Sequence, residues 1–267
     1  MNFDYVKNVF GLDGKKAVVT GGNSGIGLGI ARSLAHFGAD VVIVGRDPAT
    51  LEQAKEELCA IRPGCGAAYQ ADVSDKAQAD AFFAHYRREY GEELDILVAN
   101  AGVTYAMRAL ESEEQYMDRI IGINYKGALF FCQGAAEFMK ARRSGNIVIV
   151  TSVNALWPLP PHAVYTSTKA AQEVLMQCLA VDLAQYGVRV NTLAPGEIIT
   201  KLGRQDLRQI QLTPEAERDR SRPRLPLGRA GEPEDMGDVV ACMVSDAFRY
   251  MTGSTVLVDG GLKLRNV

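Results

Sequence analysis

Ser152, Tyr165 and Lys169 are the residues of this 267-residue chain whose types and spacing best suit proton transfer. They follow an apolar, strand-like run at 146–151, and a helix beginning near Tyr165 would set Tyr165 and Lys169 at i and i+4 on one face. A free phenol ionises near pH 10, so acid–base work near neutrality needs a shift of about 3 pH units, roughly 4 kcal/mol of preferential stabilisation of the phenolate. A neighbouring ammonium supplies a shift of that sign, and a serine at a strand end can donate to an oxygen of the reacting molecule. Tyr-x-x-x-Lys is a short pattern that also describes a packed tyrosine and a solvated lysine, so the surrounding elements decide its meaning.

Those elements alternate. Runs at 16–20, 40–45, 66–71, 94–98, 147–151, 188–193 and 255–258 read as strands, most of them continuously apolar. Between them lie helical patterns: one through Ile30, Leu34 and Phe37; one through Leu51, Ala54 and Leu58, capped by Asp47 or Thr50; one through Ala81, Phe82 and Tyr86, capped by Ser74. Further helices are expected at 112–139, with an interruption near Gly122-Ile-Asn124, at 165–186 and at 234–245. Apolar strands alternating with helices predict an α/β fold, a single doubly wound Rossmann-type domain of about seven parallel strands with helices on both faces. Residues 1–13 are expected to form an N-terminal surface arm. Residues 197–228, charged and Pro-containing, break the pattern and are predicted to form a lid over the site.

The first strand-to-helix turn reads Gly21-Gly-Asn-Ser-Gly25-Ile-Gly27. Glycines there permit a tight turn and close approach of the backbone to a pyrophosphate, whose charge suits the unpaired amides of a helix N-terminus. Gly21, Asn23, Ser24, Gly25, Ile26 and Gly27 are therefore candidate cofactor contacts. The second strand ends at Gly45-Arg46, where a dinucleotide fold often places an acid that holds the ribose 2′-hydroxyl. Arg46 instead offers charge-assisted hydrogen bonds to a 2′-phosphate, with Gly45 leaving room for it, so NADP is expected over NAD. The competing reading leaves Arg46 solvated and gives Asp47 the acidic role. Asp72-Val73 and Asn100-Ala101-Gly102, at the ends of the third and fourth strands, fall where ligands of open parallel sheets bind.

Composition narrows the partners. With 47% hydrophobic and 23% charged residues and a formal net charge of -3, the chain has a globular composition and no footprint for nucleic acid or an anionic membrane. The N-terminus lacks a signal-peptide pattern and no apolar run reaches membrane-spanning length, so a cytoplasmic protein is expected. Cys59, Cys65, Cys132, Cys178 and Cys242 are scattered and read as reduced thiols, and the three histidines form no ligand pattern, so no catalytic metal is expected.

Taken together, these motifs resemble the short-chain dehydrogenase/reductase family over about residues 12–262. Thr20-Gly-x-x-x-Gly-Ile-Gly27 is similar to its cofactor motif, and Ala99-Asn-Ala-Gly102 to its Asn-Asn-Ala-Gly motif with alanine in the first place. The segment through Pro195, Gly196, Ile198 and Thr200 is similar to its nicotinamide contact, and Asn124, Ser152, Tyr165 and Lys169 to its catalytic tetrad. The resemblance implies Tyr165 as acid/base, Ser152 polarising the substrate oxygen, Lys169 on the nicotinamide ribose and Asn124 holding a relay water. It implies hydride transfer between NADP(H) and a secondary alcohol or ketone, and a homotetramer. Substrate contacts are expected from Ser152, Asn154, Trp157 and Tyr165, in a loop that also carries Leu159 and His162. The carboxyl-terminal half is most similar to members acting on sugars, polyols and sugar acids. A 3-oxoacyl or hydroxysteroid reductase is the alternative enzyme, and an NADP-sensing binding protein the alternative outside catalysis.

Overall fold

β-Branched runs without side-chain alternation can be buried on both faces, and the strands built from them form one parallel sheet. The computed structural model describes residues 2–158, 160–200 and 225–266. Seven strands lie in the order β3-β2-β1-β4-β5-β6-β7, the doubly wound arrangement expected. They are β1 (Lys16–Thr20), β2 (Asp40–Gly45), β3 (Gly66–Gln70), β4 (Ile96–Ala99), β5 (Gly145–Val150), β6 (Val188–Pro195) and β7 (Thr255–Val258). Every ladder is parallel; Val18, for example, registers with Val42 on one side and Leu97 on the other.

One face of the sheet is covered by α4 (Lys76–Tyr90), α6 (Ala128–Arg142) and α8 (Ala163–Ala184). Phe82, Phe83, Tyr86, Phe131 and Phe138 interlock there, with Phe82 edge-on to Phe83 at a centroid separation of 5.0 Å. Each such ring contributes about 1.5–3 kcal/mol by burial, and favourable ring pairs add about 0.5–1.5 kcal/mol. The opposite face carries α2 (Gly25–His36), α3 (Pro48–Ile61) and α9 (Pro233–Val244). Helices α2 and α9 touch through glycine: a Cβ on Gly237 would lie 2.4 Å from Ser33 Oγ and 2.5 Å from Gly29 O.

Two local expectations are corrected. The N-terminal arm contains a helix, α1 (Phe3–Phe10), capped by the Asn2 side chain, although none of its residues is buried. Asp75, not Ser74, caps α4, because Ser74 donates through both its amide and its hydroxyl to Asp72 and is committed to that turn. The helical stretch expected at 112–139 is α5 (Glu114–Ile120), a π-helical segment (Ile121–Gly127) at the expected interruption, and α6. The remaining helix, α7 (Val153–Leu156), is a single turn in the loop after β5. Leu159 and most of the predicted lid, 201–224, lie outside the described residues.

Candidate active site

The chain leaves β1 toward β2 and β3, then returns to the other side of β1 at β4, which opens a crevice at the carboxyl ends of β1 and β4. The glycine turn lines one wall. Gly21 and Gly25 have positive φ values of 64° and 53°. Gly27 has no room for a side chain, since a Cβ would lie 2.2 Å from Gly21 O and 2.4 Å from Asn100 Nδ2. Ser24, extended at the N-cap of α2, makes no side-chain cap bond, so the first-turn amides of α2 keep their capacity for an anion. Ile26 packs against the core behind the turn.

Asn100 ties the end of β4 to the end of β1. Its Nδ2 donates to Thr20 O at 2.9 Å and Gly21 O at 3.3 Å, while the amides of Asn100 and Ala101 donate to Thr20 Oγ1 at 3.0 and 3.1 Å. Replacement of the first motif asparagine by Ala99, a core residue, leaves this clamp intact. From the far side, Thr200 closes on the same turn: a Cβ on Gly25 would meet Thr200 Cγ2 at 3.3 Å. Pro195 ends β6, Gly196 donates to Val258 O, and Ile198 bridges to Gly231, which fixes the segment leading to Thr200.

At the end of β2 the half-exposed Arg46 guanidinium stands 3.9 Å from Asp72 Oδ2. Asp47 caps α3 by accepting from Thr50 N at 3.0 Å. The idea that Gly45 leaves space for a phosphate is corrected: a Cβ there would lie 2.5 Å from Asn23 Oδ1, and Asn23 Nδ2 donates to Thr50 Oγ1 at 2.8 Å. Gly45 thus admits the Asn23 side chain. Val73 packs into the core against Gly127.

The other wall carries the proton-transfer candidates. Ser152 caps α7 by accepting from Asn154 N at 3.1 Å, and that geometry leaves its hydroxyl proton for another acceptor. Helix α8 sets Tyr165 and Lys169 one turn apart, with the Lys169 ammonium 5.8 Å from the Tyr165 ring centroid. Lys169 is buried and donates to Val150 O at 2.7 Å. Burial pushes this ammonium down to about 7, against the opposing pull of Glu173. Asn124 sits in the π-helical segment, a distortion frequent at functional sites. Its side chain makes three hydrogen bonds: Oδ1 accepts from Val103 N at 2.8 Å, and Nδ2 donates to Val103 O at 3.0 Å and Thr168 Oγ1 at 3.2 Å. The Asn124 backbone carbonyl accepts from Gln172 Nε2 at 2.6 Å and, like Oδ1, has a second lone pair.

Two further groups stand on this wall, of which the sequence had pointed only to His162, in the loop after Ser152. His162, immediately before α8, places its ring edge-on to Tyr165 at 6.3 Å and has Nδ1 3.1 Å from Thr104 Oγ1. Glu173, one turn beyond Lys169, is buried among threonines. The i+4 step from Lys169 was the only sequence signal for Glu173. Nothing in sequence spacing pairs Thr104 with His162.

A crevice lined by a glycine cradle and a tyrosine–lysine helix defines a class of nucleotide-dependent oxidoreductase, and comparison with known proteins agrees. A family model described as Enoyl-(Acyl carrier protein) reductase matches residues 21–263. The chain belongs to the short-chain dehydrogenase/reductase family and is an enzyme of the kind that acts on alcohol groups. It is 38% identical to an L-rhamnose 1-dehydrogenase (NAD(P)(+)) of Azotobacter vinelandii over 93% of this chain and 96% of that one. It is 32% identical to a 3-oxoacyl-[acyl-carrier-protein] reductase of Thermotoga maritima, covering 94% and 98%. A gluconate 5-dehydrogenase from Burkholderia cenocepacia, solved in complex with NADP and tartrate, superposes with a TM-score of 0.88 at 31% identity, covering 97% and 99%.

Proposed function

We propose that this enzyme interconverts a secondary alcohol and a carbonyl on a sugar, polyol or sugar acid, with NADP(H) as its preferred cofactor and Tyr165 as acid/base. The observation that carries the reading is the Tyr165–Lys169 pair on one face of α8, buried at its lysine end and set across the crevice from the glycine cradle. The sugar-directed relatives support the substrate class.

The cradle of Gly21, Gly25 and Gly27, the uncapped amides of α2 and the Asn100 clamp fit a dinucleotide, and Arg46 is the cation positioned for a 2′-phosphate. The nicotinamide supplies the hydride acceptor or donor when bound. In the oxidative direction Ser152 donates its free proton to the substrate oxygen and orients it, and Tyr165 takes the hydroxyl proton. Lys169 holds the ribose and favours the phenolate by its charge. Asn124 holds Val103 and the π-helical segment in place, and its carbonyl anchors the relay water. Asn154 and Trp157, on the short helix and loop that Ser152 begins, line the substrate side.

A turnover screen over L-rhamnose and other aldoses, polyols, aldonates, a hydroxysteroid and a 3-oxoacyl thioester, each with NAD and NADP, tests this reading. Turnover confined to the steroid or the thioester would overturn the sugar assignment, and tight NADP binding without any turnover would favour the sensing protein.

Arg46 is expected to set cofactor choice. A hydrogen bond to a charged group is worth about 1.5–3 kcal/mol, but Asp72 at 3.9 Å offsets part of the field, so Arg46→Ala should lower the NADP/NAD ratio of kcat/KM by about tenfold. An unchanged ratio, or a wild type that already prefers NAD, would remove the phosphate role. The swap of Gly45 for aspartate, attractive from sequence, is predicted to damage the turn instead, because Asn23 occupies that space.

A homotetramer acting in the cytoplasm completes the proposal. The outer face of α8 carries Val174 and Val181, 59% and 78% exposed, with Cys178 between them, an apolar stripe suited to a second subunit. A monomer mass by light scattering at micromolar concentration would exclude the tetramer. None of the five cysteines is in a disulfide, in keeping with a reducing compartment.

A further inference from the structure

Glu173 is a carboxylate only 8% exposed, and no step of the proposed reaction uses it. It accepts from Thr151 Oγ1 at 2.5 Å on one oxygen, and from Thr192 Oγ1 at 2.8 Å and Thr255 Oγ1 at 2.5 Å on the other. Thr151 directly follows β5 and precedes Ser152, Thr192 lies in β6, and Thr255 begins β7. One side chain of α8 thus joins three strands.

Fastening alone does not require a charge. A glutamine would satisfy the same atoms: its oxygen would accept from Thr192 and Thr255, and its amide would donate to Thr151, whose hydroxyl has a second acceptor in Leu193 O at 3.2 Å. A buried charge is costly unless something nearby uses it. A buried cation, the Lys169 ammonium, stands one helical turn away on α8. The groups that face Lys169 are Tyr165 and Glu173 on its own helix, the Val150 carbonyl of β5, and Asn124 beside the Gly102 backbone. Of these only Glu173 carries a carboxylate.

We propose that Glu173 is a positioning residue of the active site: it locks the helix bearing Tyr165 and Lys169 to the ends of β5, β6 and β7, and supplies the buried negative charge that keeps Lys169 protonated. The inference rests on Lys169 being the cation of the proposed site.

The test is a cycle of four cofactor-free proteins, wild type, Glu173→Gln, Lys169→Met and the double variant, whose thermal stability is followed from pH 5.5 to 10. Above about pH 7 the folded protein releases the Lys169 proton that the unfolded chain still holds, so stability rises with pH from that point. Glu173→Gln should move the onset of this rise about 1 pH unit lower, the small end of the scale for loss of an opposite charge one helical turn away. In the Lys169→Met background the same substitution should leave the pH dependence unchanged. NADPH affinity, followed by cofactor fluorescence, should weaken at correspondingly lower pH in Glu173→Gln than in wild type. If Glu173→Gln lowers stability equally at every pH and leaves both profiles in place, the residue is a fastener only and the proposal fails. Should the glutamine variant not fold, Glu173→Leu combined with Thr192→Val and Thr255→Val removes charge and donors together, leaving no group unpaired, and the same shift is expected. Neither readout needs turnover, so a failed substrate screen would overturn the functional reading without touching this one.

Discussion

Tyr165→Phe is expected to lower kcat about a thousandfold while changing NADPH affinity by less than about threefold, since a positioned acid/base contributes on the order of 10²–10⁴ in rate. The substitution removes one oxygen and little else. The phenylalanine ring keeps the edge-on contact with His162 and its place 5.8 Å from the Lys169 ammonium, and the backbone carbonyl of residue 165 still accepts from Thr168 Oγ1 at 2.7 Å. Helix α8 is therefore expected to stay in register, and the loss to fall on kcat rather than on binding. Stopped-flow measurement of a single turnover separates the chemical step from cofactor release. Full turnover in the phenylalanine variant would take the acid/base role away from Tyr165, and a loss confined to KM would reassign it to substrate binding.

The features legible in the sequence were those governed by local rules. The strand, glycine turn and helix from Lys16 to His36 follow from a β-branched run, residues that tolerate positive φ, and apolar spacing through Ile30 and Leu34. Tyr165 and Lys169 were paired correctly because i and i+4 lie on one face of any helix. Misreadings arose where distant or competing contacts decided. Ser74 and Asp75 are both suitable caps, and Asp72 settled the matter by engaging Ser74. Gly45 looked like room for a ligand, yet the space belongs to Asn23, a contact that exists only once the turn has folded over β2. The partners of Asn124 were likewise out of sight, since Val103 and Thr168 reach its side chain only in the folded chain. The donors to Glu173 were hidden for the same reason: Thr151 just after β5, Thr192 in β6 and Thr255 in β7 meet only across the finished sheet.

Lys169→Met is expected to make the cofactor-free protein more stable at pH 6 to 7 while reducing kcat/KM by more than about a hundredfold. The opposing signs follow from one fact, the burial of a cation. Depression of the ammonium from its ordinary 10.5 to about 7 corresponds to several kcal/mol of preference for the neutral form in the fold, on the order of 4 kcal/mol. Below about pH 7 the lysine is charged in both states and the folded protein bears the full burden of burying it. Between about 7 and 10.5 the unfolded chain holds a proton that the folded chain has released, so wild-type stability climbs with pH. Methionine is of similar length, carries no charge and removes that burden, although it strands Val150 O, now held at 2.7 Å. The net gain should be on the order of 2 kcal/mol at pH 6 to 7, a rise in Tm of roughly 4 °C for a chain of this size, and it should shrink steadily toward pH 10. Catalysis moves the other way: without the ammonium the Tyr165 phenolate loses its neighbouring charge and the cofactor ribose loses a charge-assisted donor. Calorimetry at pH 6, 8 and 10, paired with kcat/KM and NADPH affinity, checks both halves. A methionine variant that is less stable than wild type at pH 6 would mean that the fold draws more from the Val150 contact than it loses by burying the charge. One that retained its activity would mean that Tyr165 does not depend on Lys169.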